Sequence, residues 1–532
     1  MHHHKYLAWT AAAALVTSSL AACSSSKEVE QKPDKDALFE PGSAISYANY
    51  GKDYPSTEVK DVPGPCSYES ISRKDYSGQT LKIISHAVPV IGEPTQLHAK
   101  QFEEITGADV EVVNVPFGEL YQKILTPLQA NQPAYDVMFY PSLWIGDMAP
   151  YLVPVPQSYL DTPEMQDVTD AYLGVATWND EVIQYPIDGD RHYLKVRKDV
   201  LEDPAQQKAY KEATGDDLEI PTTWEEYQQV ATFFNDTDFD GDGEPNFGSA
   251  EVTKRDDLMF SAFISRAAPY VKNPDVKGGV FFDVETMEPL INTPGFVRAL
   301  EDMVAAKSAW PPGGSNFGLG DEIFSFGGGQ TMLSYSWDDS FIQAQQPESR
   351  IRNQVQAAPL PGADEVYNRD TGAWDAGYNQ APYFTWGWTS AVAKTTSNET
   401  MAFDFLCFFS NEANTALDLS IGRFGVNPYR NAHFDAAFWE EQGWSKDVAE
   451  AYVGTLSGME DSTNRVFDLR VPGVNEYMSS LATGVSSALA GEASPQDALD
   501  AVAAEWVDIT EQVGKEQVQE AYRNVVALED NG

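Results

Sequence analysis

From about residue 80 onward the apolar positions switch between two rhythms, one repeating every second residue and one close to every 3.6. Leu81-Lys82-Ile83-Ile84-Ser85 predicts a strand. A helix carrying His98-Ala99-Lys100-Gln101-Phe102 follows and closes at Thr106-Gly107. The pattern then predicts a strand over 109–115, a helix over 120–130 and a strand over 136–140. The alternation resumes after Ile183. Pro221-Thr222-Thr223-Trp224-Glu225-Glu226 predicts a helix start, with Thr223 as N-cap and Glu226 three residues on. A helix over 399–410 packs Phe403, Leu406 and Phe409, and the chain is largely helical from about Glu476. Strands alternating with helices imply an α/β fold, with helices on both faces of a mostly parallel sheet. Ligands of such sheets bind beyond the carboxyl ends of the strands.

The first residues read differently. Lys5 and three histidines precede an apolar run from Leu7 to Val16, and small residues lead to Leu20-Ala21-Ala22-Cys23. That is the layout of a secretory signal over 1–22. Its apolar core is shorter than the roughly 20 residues a membrane helix needs. A cysteine directly after Leu-Ala-Ala resembles the lipobox of bacterial lipoproteins. The resemblance implies acylation of Cys23 and anchoring to a bilayer. Residues 23–78, rich in Lys, Glu, Pro, Ser and Gly, are then expected to be a tether and an irregular extension.

Composition narrows the partners. The 532 residues carry 81 acidic and 35 basic side chains, a formal charge of −46. Such a surface repels nucleic acid and anionic lipid, so neither is expected as a partner. A chain of this length suggests two lobes or domains. Besides Cys23 there are two cysteines. Cys407, in the apolar run AFDFLCFF, reads as core, and Cys66 lies in the loop-like PGPCSYES. They are expected to be unpaired, with a disulfide between them as the alternative in an oxidising compartment.

Several segments, in order, carry a family resemblance. They are FEEITGADVEVVNV, YDVMFYPSLW, QYPIDGDRHYLKVRKDVLED, PTTWEEY, FGGGQTMLSYSWDD, APLPG, TWGWTSAVAKTTSNETMAFDFLCFFSNEA and ALAGEASPQDALDAVAAEW. Together they resemble the maltose-binding-protein-like extracellular solute-binding family over about residues 80–515. The resemblance implies two α/β lobes joined by a hinge, with the ligand cleft between them. Lobe 1 would be 79–183 plus 385–437, and lobe 2 would be 184–384 plus 438–532. Hinge crossings would fall near Ile183 to Arg191 and Phe384 to Gly387. It further implies a monomeric, exported binder that delivers its solute to the permease subunits of an ABC importer without breaking a bond.

Sugars present flat C–H faces and a rim of hydroxyls, so a sugar site needs aromatic platforms and fixed polar partners. The chain has 12 Trp and 25 Tyr. Trp144 follows one strand, and Trp337 and Asp338 follow another. Asp188 and Asp190 lie at one crossing, where either is expected on the ligand or in a hinge cap paired with Arg191. Trp386 and Trp388 flank the other crossing, and strand alternation would turn only one of them into the cleft. His86 ends the first strand. Arg423 lies in IGRFGVNP, and Tyr477 opens a helix that borders the cleft in relatives. An Arg/Lys cluster for an anionic solute is not evident at the crossings, so a neutral oligosaccharide is favoured, with a cationic solute such as a polyamine as the alternative.

The sharpest local motif is Asn235-Asp236-Thr237-Asp238-Phe239-Asp240-Gly241-Asp242-Gly243-Glu244-Pro245-Asn246. Alternate carboxylates on a turning loop suit a hard cation, and a glycine at position six permits the turn. Two registers fit, one starting at Asp236 and one at Asp238. The second takes in Asp240, Asp242 and Asn246, with Glu244 between. Neither has an acidic twelfth residue. A structural Ca²⁺ is expected. An exported, calcium-stabilised carbohydrate-active enzyme would share these features, although G-x-S-x-G and H-E-x-x-H are absent. A sensory binder of a non-sugar solute is a further alternative.

Overall fold

The computed structural model describes residues 44–51 and 58–530. The expected signal, Cys23 and the tether up to residue 43 lie outside the described residues. No helix among the described residues is long and apolar enough to cross a membrane.

Two sheets form the cores of two α/β lobes. The first runs in the order Asp109–Val115, Thr80–His86, Val137–Pro141, Trp388–Val392, Tyr185–Pro186. Its first three strands are parallel, with Ile83 opposite Val137. Trp388–Val392 runs antiparallel to both of its neighbours. Leu81, Ile83 and Ile84 are fully buried, as is the run Val137 to Tyr140, because helices cover both faces. Helix Gly92–Thr106 stops where Gly107 takes a φ of 74° and donates its N–H to the Glu103 carbonyl. The Phe102 ring of that helix packs edge-on to Phe405 of helix Glu399–Phe409, 5.5 Å between centroids.

The second sheet runs Phe247–Ala250, Thr331–Ser336, Arg191–Arg197, Tyr383–Phe384, Val466–Phe467, and Val355–Ala358 also pairs with Arg191–Arg197. The central strand is buried at every residue despite the sequence Arg-His-Tyr-Leu-Lys-Val-Arg. Buried charge persists only where it is answered. Arg191 meets Glu460 at 2.9 Å, Lys195 donates to the Ser336 and Ser340 hydroxyls at 2.5 and 2.7 Å, and Arg197 meets Asp199 at 2.7 Å. Helix Trp224–Phe234 opens with a full capping box: the Glu226 N–H donates to the Thr223 hydroxyl, and the Glu226 carboxylate accepts the Thr223 N–H.

The chain passes from the first sheet to the second through 187–190, and returns through 385–387. Both connections are short, so the ends of Arg191–Arg197 and Tyr383–Phe384 in the second sheet lie close to those of Tyr185–Pro186 and Trp388–Val392 in the first.

The extension differs from the expectation of irregular chain. Ile45, Tyr47, Tyr68 and Ile71 are buried. The Tyr47 hydroxyl donates to Asp418 at 2.6 Å, and the Tyr68 hydroxyl to Asn414 at 2.7 Å. Cys66 and Cys407 are also joined in a disulfide, with Cα atoms 4.9 Å apart, which corrects the expectation of unpaired thiols. The reason is the short helix Tyr68–Ser72, which lays the extension on helix Glu399–Phe409 and brings Cys66 over Cys407.

Candidate functional site

Between the lobes lies a cavity of about 330 Å³. His86, Val90, Phe117, Trp388 and Gly425 line it from the first lobe. Asp256, Leu258, Leu319, Trp337 and Asp339 line it from the second, and Asp190 and Trp386 come from the crossings. Its size is at the lower end of small-molecule sites.

The aromatic wall is one connected series. His86 ends strand Thr80–His86, and its ring lies 5.4 Å from Trp388. Phe117 opens helix Phe117–Gln129, just past the strand Asp109–Val115, and its ring is 5.1 Å from Trp386 and 6.1 Å from Trp388. Trp386 meets Trp337 edge-on at 6.1 Å, which carries the series across to the second lobe. The His86 Nδ1 sits 3.1 Å from the Val90 carbonyl, and burial pushes its pKa down, so the ring is neutral at pH 7.

Both Trp386 and Trp388 face the cavity, where strand alternation would expose only one. The cause is the backbone. Trp386 has a φ of 67° and Gly387 one of 57°, so the left-handed turn breaks the pleat between the two indoles. A non-glycine residue held there costs on the order of 1–3 kcal/mol. Asp468 answers that cost by accepting the Trp386 N–H at 2.6 Å and the Thr385 hydroxyl at 3.0 Å, while the Trp386 indole N–H donates to Ser261 at 2.9 Å.

The carboxylates divide by role. Asp188 ties the crossings together: it accepts the N–H groups of Gly189 and Asn427 at 2.8 and 2.6 Å, and that of Trp388 at 3.1 Å. Asp190 lines the cavity and accepts the Asn427 side-chain amide at 2.5 Å. Burial pushes the Asp188 carboxyl up to about 7. Burial and the neighbouring Asp188 charge push Asp190 up as well. Asp338 turns inward, accepting the Tyr193 hydroxyl at 3.0 Å, whereas its neighbour Asp339 lines the cavity. Burial raises the Asp339 carboxyl to about 6.

Of the residues predicted from sequence, the cavity thus brings together His86, Asp190, Trp337, Trp386 and Trp388. The others lie elsewhere. Trp144 stands behind Phe117, ring centroids 5.5 Å apart, and donates its indole N–H to Asn475 at 2.9 Å. Asp188 and Asp338 serve the hinge and the lobe interior. Arg423 is paired with Glu93 at 2.9 Å. Tyr477 is buried against Phe282 and Trp506, with its hydroxyl on Thr510. Phe117 and Asp339 were not singled out. Phe117 had a readable signal, since it is the second residue beyond a strand's carboxyl end.

In the acidic loop, carboxylate oxygens of Asp238, Asp240 and Asp242 lie within 4.8 Å of one another, a set that fits a hard cation. Asp236 and Glu244 are not in that cluster. Asn246 is committed to the Phe239 N–H at 3.0 Å. The Arg350 guanidinium already lies on this loop, 2.9 Å from Asp242 and 3.5 Å from Asp240.

Comparison with known proteins places this geometry. Residues 98–443 match the model of a family described as bacterial extracellular solute-binding protein. A curated relative, a probable amino-acid ABC transporter periplasmic-binding protein of Sinorhizobium fredii, is 24% identical over 58% of this chain and 66% of its own, just under two thirds of its length. Among solved structures, a ribitol complex of an ABC transporter solute-binding protein from Agrobacterium radiobacter superposes with a TM-score of 0.64 at 19% identity, covering 82% of this chain and all of that one. The maltose-bound MalE3 of T. maritima gives 0.62 at 21% identity, with 81% and 100% coverage. The acarbose receptor GacH of Streptomyces glaucescens gives 0.60 at 18% identity, with 82% and 99% coverage. With the family model spanning more than half of its length, the chain belongs to the bacterial extracellular solute-binding proteins, a family of binders and not of enzymes.

Proposed function

We propose that the protein is the substrate-binding component of an ABC importer, and that it captures a carbohydrate or polyol between its lobes and hands it to the permease. The observation that carries this reading is the interlobe cavity, lined by Trp388 of the first lobe, Trp337 of the second and Trp386 of the crossing, together with the carboxylates Asp190, Asp256 and Asp339. Aromatic faces stack on the C–H faces of a polyhydroxylated solute, and the carboxylates accept its hydroxyls. Structural relatives bound to ribitol, maltose and acarbose favour the same class of solute. The name of the curated relative suggests an amino acid instead. The cavity argues against that, because an α-carboxylate needs a basic partner and no Lys or Arg among the described residues is on its wall.

Closure follows from the two short crossings. Ligand touching both half-sites favours the closed arrangement by its differential affinity for it. Acylated Cys23 would tether the monomer to the bilayer near the permease. The loop at Asp238, Asp240 and Asp242 would take a structural Ca²⁺.

The test is thermal unfolding of the purified protein against a panel of sugars and polyols, with and without Ca²⁺. A ligand at 100 times its Kd stabilises by about 2.7 kcal/mol. A saturable shift with the solute recovered intact supports the reading. Recovery of cleaved sugar would favour an exported enzyme.

A further inference from the structure

The charge on the cavity wall is one-sided. Asp190, Asp256 and Asp339 line it, and among the described residues no Lys or Arg does. Basic side chains on the flanking elements are engaged elsewhere: Arg191 on Glu460 and the Pro428 carbonyl, Lys195 on Ser336, Ser340 and Glu322. Asp256 has a structural duty, since it caps helix Asp257–Val271 through the Leu258 N–H and lies 3.8 Å from Lys254. Asp339 is different. It has no hydrogen-bonded side-chain partner among the described residues, although Lys195 lies near enough to favour its charged form. Asp190, 6% exposed, senses the charge of Asp339, so the two carboxylates act on the same space.

A neutral sugar would leave these carboxylates with hydroxyls alone, in a site drained of water, where unanswered charge is disfavoured. An ammonium group answers both halves of the wall. It pairs with carboxylate, and it is attracted to the electron-rich faces of Trp and Phe. We propose that the solute is an amino sugar or amino-polyol, with its protonated amine between Asp190 and Asp339 and its carbon frame on Trp337, Trp386, Trp388 and Phe117. This rests on the reading of the interlobe cavity as the solute site.

Calorimetric titration of the purified protein with matched pairs tests it: glucosamine against glucose and N-acetylglucosamine, 1-amino-1-deoxysorbitol against sorbitol, and deacetylated chitobiose against cellobiose. Spermidine serves as an amine without the hydroxylated frame. The amine of at least one pair is expected to bind at least tenfold tighter than its neutral partners and tighter than spermidine. Asp339→Asn should abolish that preference, and Asp339→Glu should restore part of it. The wild-type comparison decides even if the variants fold poorly. Neutral members binding as tightly as the amines would overturn the proposal, as would spermidine binding best or the absence of any binder in the panel. A neutral sugar whose binding is lost in Trp388→Ala would overturn this inference alone. A neutral sugar that binds Trp388→Ala unchanged would overturn the cavity as the solute site.

Discussion

The two faces of the cavity are built from different chemistry. The first lobe offers His86, Val90, Phe117, Trp388 and Gly425, with a neutral imidazole and no carboxylate. The second offers Trp337 among Leu258, Leu319, Asp256 and Asp339. The contrast suggests a division of labour, in which the first lobe binds the frame of the solute and the second, with Asp190 of the crossing, reads its charge. A face of stacked rings is tolerant, because every pyranose or polyol presents C–H bonds. A buried carboxylate is selective, because its partner must be a strong donor.

The largest effect should come from removing the shared platform. Trp388 is 6% exposed and touches both His86 and Phe117. Trp388→Ala is expected to cost about 3–5 kcal/mol of stability and to abolish binding of every solute, charged or neutral, as read by chemical denaturation and calorimetry. Asp339→Asn should differ on both counts. Stability should hold or rise, since the variant removes a raised carboxyl that lies beside Asp338, while affinity falls only for solutes bearing an amine. Equal losses for charged and neutral solutes would erase the proposed division.

A pH titration sharpens the same point. The folded-state pKa values of Asp188, Asp339 and Asp468 are raised by burial, to about 7, 6 and 6. Each of these three carboxyls therefore holds more proton in the folded state than in the unfolded chain between about pH 4 and its folded pKa, and the stability it contributes falls as pH rises through that window, against an opposite contribution from the buried His86, His192 and His433. The groups facing Asp339 are Lys195 on the central strand, Glu322 on helix Leu319–Gly327, Asp338 and Asp190. The ligand-free protein should melt on the order of several degrees higher at pH 5 than at pH 8, and Asp339→Asn should narrow the gap. Amine binding should run the other way, strengthening as Asp339 ionises above about pH 6.

The smallest effect belongs to the acidic loop of the second lobe. Arg350 is half-exposed there, so Arg350→Ala should change stability by no more than about 1 kcal/mol in calcium-free buffer. Added Ca²⁺ should raise the melting temperature more in Arg350→Ala than in the wild type. No response in either would argue against a calcium loop.

Much of this was legible in the chain. The strands over Leu81–Ser85 and 136–140 and the Thr223 cap follow from local periodicity and hydrogen-bonding rules, which tertiary context did not override. The unread parts share a cause. Arg191–Arg197 carries three basic residues and a histidine, yet is the buried centre of a sheet, because its partners Glu460, Ser336 and Ser340 are remote in sequence. Asp188 and Asp190, or Asp338 and Asp339, are near neighbours whose separate duties depend on backbone direction at a single turn. The paired indoles were misjudged because no local rule predicts that Trp386 adopts a left-handed conformation, which Asp468 supports from far along the chain. Cys66 and Cys407 are 341 residues apart, and only the docking of the extension brings them together.

The most direct test of the central claim, that solute binds between the lobes on the shared aromatic wall, is a calorimetric titration of the wild type and Trp388→Ala with the solute that shifts thermal unfolding most. The account predicts one saturable site, the solute recovered intact, and an affinity at least 100-fold weaker in the variant. Equal affinity in both proteins would contradict it.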